Sequence, residues 1–363
     1  MTTSSGAMSR SEEGTFRRIL KVWLEREARR ARIRDTRRDA RGSSQDETTG
    51  DTRGRDAAEP EDIPRSGWRD ILLRVKARLQ EHNLSIIASA VAFYVFLALF
   101  PTLAAMVTIY GLIADPGGVD QLVTAAGALL PGEAQSFLHE QLKWIASQPP
   151  EALGVGLMVS LVLTIWSATK GVRAMITALN IVYDEQETRG FFKLSWLGFV
   201  LTLGGILAGI TALGLIVGIP AILNFFSLSD KLEVLVRIAP WPILAVGMVL
   251  GLAVLYRVAP DRQDARWKWV TWGSVIATVL WLIGSVLFSL FVAKFGNYNE
   301  TYGSVSAVVV VLLWLQVTAY IILIGGQINA EMEHQTRRDT TTGKPKPMGQ
   351  RDAYVADTLG KTP

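Results

Sequence analysis

The sequence predicts an all-α polytopic membrane protein with six transmembrane helices, an amphipathic juxtamembrane helix and disordered tails. Three observations carry this prediction. Residues 84–114, 194–229 and 269–293 contain no Asp, Glu, Lys or Arg, and uncharged apolar runs beyond about 20 residues match the hydrocarbon thickness of a bilayer. Lys and Arg alternate in number between successive apolar runs, as they do on the two sides of a membrane. The net positive charge lies in the tails: residues 1–85 hold nineteen bases and fifteen acids, residues 334–363 six and three, and the region between them twelve and fifteen. The net charge of +4 and the pI near 9.3 therefore belong to the tails, and they carry no nucleic-acid signal.

From the start of the chain, residues 1–67 read as a disordered cytoplasmic tail. Residues 17–41 hold eleven Lys/Arg against four Asp/Glu, and residues 46–62 hold seven acids against two arginines, and such blocks keep a chain solvated. Phe16, Ile19, Leu20, Trp23 and Leu24 fall at helical spacing inside the basic block. This offers a surface for anionic lipid headgroups, beside the simpler reading of a solvated, partly helical tail. Pro60, Pro64 and Gly67 then punctuate the chain. After them Trp68, Ile71, Leu72, Val75 and Leu79 recur opposite Arg69, Arg74, Lys76 and Arg78; the spacing predicts an amphipathic helix over 68–82 lying at the membrane interface. The first apolar run starts far inside the chain and is too long for a signal-peptide core, so the first span is expected to be retained.

Six spans follow, at 86–112, 152–176, 195–219, 240–257, 270–293 and 304–329, within a membrane domain of residues 68–335. The tail before them has nineteen Lys/Arg, residues 170–193 have four, residues 257–268 four and residues 334–363 six, whereas the intervening loops have one, two and one. The alternation puts both termini in the cytoplasm, with residues 336–363 as a second disordered cytoplasmic tail. Pro101 in the first span and Pro220 after the third predict kinks or half-helices. In the second span helical periodicity continues past Lys170 through Val172, Met175, Ile176, Leu179 and Val182, so one long helix is expected to leave the membrane or bend near Lys170. Gly205 with Gly209, Gly214 with Gly218 and Gly247 with Gly251 are spaced for close helix contact, and Trp241, Trp267, Trp269 and Trp272 sit where interfacial anchors sit.

The chemistry is sparse. The chain has no cysteine, three dispersed histidines (His82, His139 and His334) and no phosphate-binding Gly-x4-Gly-Lys-Ser/Thr stretch, so neither a metal site nor a cofactor is expected. No carboxylate lies at mid-membrane depth, which argues against a proton relay. The polar residues gather near span ends: Trp166, Ser167, Lys170, Arg173, Asn180 and Tyr183 on the second helix, Tyr256 and Arg257 on the fourth, Gln327, Asn329 and Glu331 on the sixth. Lys170 and Arg173 share a helix face, where they can hold a phosphate or carboxylate headgroup or act as plain positive-inside anchors. On the opposite side Asn297, Tyr298, Asn299, Tyr302, Gly303 and Ser304 form a polar entry to the sixth span, a tight loop and cap or a ligand contact. Gln327 and Asn329 are placed to bond neighbouring helices.

Four stretches together resemble the YihY/BrkB family of bacterial inner-membrane proteins. They are AVAFYVFLALFPT at 90–102, WSATKGVRAMITALNIVYDEQETRGFFK at 166–193, LYRVAP at 255–260 and YGSVSAVVVVLLWLQVTAYIILIGGQINAEME at 302–333. The last span of this family usually reads Gly-Ala-Glu-x-Asn-Ala, whereas GGQINA stands here, so Gln327 keeps hydrogen-bonding capacity without a charge. The resemblance implies about six spans, cytoplasmic ends and a place in the bacterial inner membrane. It also brings a former ribonuclease label, which would need a metal cluster or acid/base pair that no motif here supplies.

The reading of residues and resemblance together is a protein that transports or binds an anionic amphiphile such as a phospholipid or lipid precursor. Its candidate ligand-binding residues are Tyr94, Trp166, Lys170, Arg173, Asn180, Tyr183, Arg257, Tyr302, Gln327 and Asn329. Its partners are membrane lipids rather than nucleic acid. The alternative is a membrane scaffold in envelope biogenesis, recruiting partners through the basic tail and the helix at 68–82.

Overall fold

The computed structural model describes residues 53–113, 150–218, 238–294 and 304–362. The basic segment at 17–41, Pro220 and the polar entry around Tyr302 lie outside the described residues. All regular structure among the described residues is helical apart from one isolated antiparallel bridge between Ala265 and Thr341.

The helices are α1 (Arg65–Glu81), α2 (Leu84–Ile113), α3 (Pro150–Val182), α4 (Phe191–Leu213), α5 (Pro240–Val258), α6 (Trp267–Lys294), α7 (Ser304–Glu333) and the short α8 (Tyr354–Asp357). Four stretches are each long and apolar enough to cross a membrane: Phe191–Ile216, Pro240–Val258, Trp267–Ala293 and Val308–Glu333. The six-span expectation adds α2 and α3. At about 1.5 Å per residue both exceed the hydrocarbon thickness. α2 packs along α3, and α7 occupies the middle, touching α6, α2, α3 and α1. Outward side chains such as Leu207, Ile210, Val246, Leu250, Val286 and Leu287 are apolar and exposed, the reverse of a water-soluble surface and the arrangement lipid requires.

Several local features differ from the sequence expectations. α2 continues as helix through Pro101. The sharp bend comes earlier, where α1 meets α2 at 64° and Asn83 adopts a positive φ of 50°, a conformation Asn tolerates better than most residues. α3, by contrast, follows the expectation of one long helix, running past Lys170 to Val182. α4 ends in a π-helical turn at Gly214–Gly218. Among the described residues nothing lies within contact of a Cβ at Gly205, Gly209, Gly214, Gly247 or Gly251, so these glycines mark no helix contact there. The close approach is between Gly273 of α6 and Gly325 of α7: a Cβ on Gly325 would meet the Tyr256 hydroxyl at 2.5 Å, the Ala277 methyl at 2.7 Å and the Gly273 carbonyl at 2.7 Å. Trp241, Trp267 and Trp272 are exposed as anchors should be, but Trp269 is 2% exposed and belongs to the core.

The fully buried core concentrates at one end of the bundle. Leu84, Ala88 and Val91, then Ile176, Leu179 and Tyr183, then Leu252 and Tyr256, and Val270, Ala277 and Leu323 meet there in one cluster. A second cluster joins Ile71 and Val75 of α1 to Trp269, Ile328 and Met332. The helix at 65–81 is therefore seated on protein along one side; burying Ile71 and Val75 contributes about 1.5–3 kcal/mol each. Arg74 and Arg78, expected on the solvent or headgroup side, turn toward Glu331 and Asp184.

Neither flank of the bundle near this end is loose chain. Residues 53–63 form a short 3-10 turn (Pro60–Asp62) and dock through Arg53 to Asp70 at 2.8 Å and through buried Ala57 and Ile63. The expectation of a disordered tail over 336–363 is corrected. Arg266 N donates to Thr340 O at 2.9 Å, Thr342 N to Asp264 O at 2.8 Å, and Gln263 N to Asp352 O at 2.9 Å. Within the segment the buried Arg351 guanidinium donates to the carbonyls of Lys346, Arg338, Ala356 and Arg337. Polar bonding to other elements, rather than an apolar stripe, orders this stretch.

Candidate functional site

The residues singled out by sequence separate into an outer belt and an inner knot. The outer belt is on α3 and α4. Lys170 Nζ lies 3.5 Å from the centroid of the Trp166 ring, and the Arg173 guanidinium carbon lies 5.3 Å from that of Phe191. Four residues separate Trp166 from Lys170, so one helical turn stacks cation on ring; Arg173 reaches across to the first turn of α4 because Gly198 leaves room for its stem, with a Cβ there meeting Arg173 Cγ at 3.2 Å. Trp166, Phe191, Phe192 and Trp196 are all exposed. Among the described residues neither cation has a carboxylate within ion-pair reach, whereas Arg74, Arg78, Arg189, Arg257, Arg262 and Arg351 each have one. Cations over exposed rings, without a protein counter-ion, are what an interface facing lipid phosphate needs.

Tyr94 is exposed on α2, packed edge-on against Phe93. Arg257 does not join Lys170 and Arg173. Its guanidinium sits 4.4 Å from the Trp267 ring centroid, with Nε 3.7 Å from Asp264.

The inner knot gathers Asn180, Tyr183, Gln327 and Asn329 at the well-packed end. Asn329 Oδ1 accepts from Gly273 N at 2.8 Å and its Nδ2 donates to Val270 O at 3.1 Å, tying α7 to the first turns of α6. Asn180 Nδ2 donates to Glu187 at 3.0 Å and its Oδ1 accepts from Asp261 N at 2.7 Å, so it joins the loops after α3 and α5. Tyr256 donates to Ile322 O at 2.6 Å. The Tyr183 hydroxyl is buried beside Asn329, whose carboxamide bonds α6; burial pushes this phenol well above its ordinary range. These roles are structural, as expected of Asn and Gln in membrane helices.

Sequence reading missed the ion pairs beneath the knot. Arg74 Nε donates to Glu331 at 2.6 Å and Nη2 to Gln335 Oε1 at 2.7 Å. Arg262 grips Glu333 with both ends of its guanidinium. Burial alone would lower the Arg262 pKa, but the adjacent Glu333 charge and its hydrogen bonds outweigh that and raise it above the ordinary value. A signal was present: Glu331 and Glu333 close an apolar helix, and a buried carboxylate needs a cationic partner. Among the described residues no three His, Asp or Glu side chains converge as a metal-holding group.

Residues 75–350, covering α2 through α7 and part of the C-terminal segment, match the sequence profile described as virulence factor BrkB. The chain belongs to the YihY/BrkB family. Similar proteins include a putative ribonuclease-like protein YfkH of Bacillus subtilis, 28% identical over 67% of this chain and 88% of its own length. A UPF0761 membrane protein of Haemophilus influenzae is 22% identical over 70% of this chain and 92% of its own. Another from Vibrio cholerae is 25% identical over 71% and 86%. No solved structure matches. The BrkB match reaches past α7 into residues that the sequence reading had set aside as tail, and the structure shows that stretch packed against the α5–α6 loop. One turn before Glu331, Gln327 donates to its Oε1 at 3.4 Å.

Proposed function

We propose that this BrkB-family chain is a six-span protein of the bacterial inner membrane that binds the phosphate of anionic amphiphiles at the Lys170/Arg173 belt. The observation that supports the reading is the pair of cations stacked on exposed aromatics with no carboxylate partner among the described residues. An ammonium and a guanidinium three residues apart provide a point charge and a planar fork for one phosphate, and the rings beneath occupy the headgroup level that Trp prefers. The excess of Lys and Arg in residues 170–193 and 257–268 favours the cytoplasm for the end where these loops lie.

Purified protein reconstituted in liposomes tests the reading. With phosphatidylglycerol present, the wild-type chain should retain this lipid over phosphatidylcholine, and Lys170→Ala combined with Arg173→Ala should reduce the preference. Equal retention by wild type and the double variant would sink it. Fluorescent phosphatidylglycerol in the same vesicles separates binding from carriage: carriage predicts faster transbilayer movement than in protein-free vesicles, with the double variant slower.

A further inference from the structure

α1 lies across the packed end of the bundle, bent 64° from α2 and held from below by Ile71, Val75 and Arg74. Its other side has no partner among the described residues. Leu72 and Leu73 are 55% and 43% exposed, and with Trp68, Arg65 and Arg69 they line a groove of about 430 Å³. Trp68 stands edge-on to Trp272 of α6 at 6.3 Å. Arg65 and Arg69, four residues apart on one face, are exposed and have no carboxylate partner among the described residues.

Trp272, in contact with Trp68, begins an exposed row on α6: Val275, Val279, Ile283, Val286 and Leu290 follow at steps of three and four, on a helix long and apolar enough to cross a membrane. The shallow α1 groove thus sets two cations, Arg65 and Arg69, beside apolar Trp68, Leu72 and Leu73, and Trp68 joins it to the exposed apolar row of α6. An occupant with an acyl chain and a negative head matches both. The chain's own basic segment at 17–41, with eleven Lys/Arg against four acids, would bring like charge to Arg65 and Arg69. A second copy of α1 would do the same.

We propose that the α1 groove beside Trp272 holds one anionic phospholipid, its phosphate between Arg65 and Arg69 and an acyl chain along Leu72, Leu73 and the exposed α6 row. This site is separate from the Lys170/Arg173 belt and stands or falls without it. It gives α1 a lipid contact on the side away from the protein, so the helix is clamped between bundle and bilayer.

Native mass spectrometry of the full chain in detergent, titrated with phosphatidylglycerol and phosphatidylcholine, tests the site. At about 1 kcal/mol per basic residue near a lipid charge, removing two cations should weaken phosphatidylglycerol binding by about 30-fold. Arg65→Gln with Arg69→Gln should therefore lose one phosphatidylglycerol adduct, keep phosphatidylcholine binding, and keep any adduct that Lys170→Ala with Arg173→Ala removes. Both arginines are exposed, so folding should persist. A second measurement uses the absence of native cysteine: Leu73→Cys carrying a fluorophore, in liposomes, should be quenched by brominated phosphatidylglycerol. An unchanged adduct in the Arg65/Arg69 variant, or a label that brominated lipid does not quench, overturns the proposal. Quenching that appears only after residues 1–52 are removed assigns the groove to the tail and likewise overturns it.

Discussion

Arg262 and Glu333 form a bidentate ion pair sealed from solvent. Nη1 donates to Oε1 at 3.0 Å and Nη2 to Oε2 at 2.6 Å, with side chains 2% and 0% exposed. Thr340 of the C-terminal segment donates to the same Oε2 at 2.6 Å, and the guanidinium lies 5.1 Å from the Tyr183 ring centroid. Three parts of the chain converge on one carboxylate. Glu333→Gln or Arg262→Met should each destabilise by about 3–5 kcal/mol, because either leaves a buried charge uncompensated. Arg262→Met combined with Glu333→Leu should recover most of the loss. Thermal unfolding of the purified protein in detergent, followed by tryptophan fluorescence, checks this; a double variant no better than the singles would show that the bonds themselves, not the unpaired charge, set the cost.

Gly325→Ala should destabilise by about 1–3 kcal/mol, the usual cost of forcing a methyl into a filled core, since its Cβ would strike the Tyr256 hydroxyl, the Ala277 methyl and the Gly273 carbonyl. Gly205→Ala and Gly247→Ala serve as controls. Both face open space, and each should stay within about 0.5 kcal/mol of the parent or gain slightly from helix propensity. The comparison needs only melting temperatures and size-exclusion profiles of three variants.

Acid should loosen the C-terminal segment through Asp339. Burial pushes this carboxyl up, but it accepts from Lys346 N at 2.8 Å, Thr341 N at 3.0 Å and Thr341 Oγ1 at 2.7 Å, with Arg351 at 3.8 Å, and the balance lowers it. Unfolded, the group titrates near the ordinary value of about 3.9. The folded segment therefore prefers the ionised form: the stabilisation is complete above the unfolded value and is lost as pH falls through the lower, folded one. Hydrogen exchange of residues 338–358 between pH 5 and 3 should show protection falling with acid. In Asp339→Asn protection should be weaker at pH 5, with that acid-dependent component gone.

Much of the bundle was legible because its physical cause is one-dimensional: an uncharged run such as 269–293 can only be dissolved in lipid or protein, and α6 follows from it. The cross-helix role of Asn329 was legible for a similar reason, as an amide at that depth must bond something. The C-terminal segment was not. Its buried residues include Thr336, Thr340, Thr341, Arg351 and Asp357, which give no apolar period, and their partners lie far away in sequence, as Arg55 Nη2 with Gly360 O at 2.8 Å shows. Glycine spacing misled because any small pair four apart looks alike in sequence, whereas the two glycines that meet among the described residues, Gly273 and Gly325, are on different helices. For α1, periodicity identified the apolar set but not that Ile71 and Val75 would face protein while Leu72 faces outward.

The contacts around α1 also fix a parity. Arg74 reaches Glu331 and Gln335, Glu185 of the α3–α4 loop accepts from Tyr354 N at 2.6 Å, and Asp261 of the α5–α6 loop accepts from Thr188 N at 2.5 Å. Segments that touch share a compartment, so each excursion between them, 84 to 182, 191 to 258 and 267 to 333, makes an even number of crossings. The number of crossings between Arg74 and Glu331 is therefore even, whichever way the bundle faces. Single cysteines at Glu81, Gln186 and Lys344 should all react with an impermeant thiol reagent from one side only, and a split result would break the count.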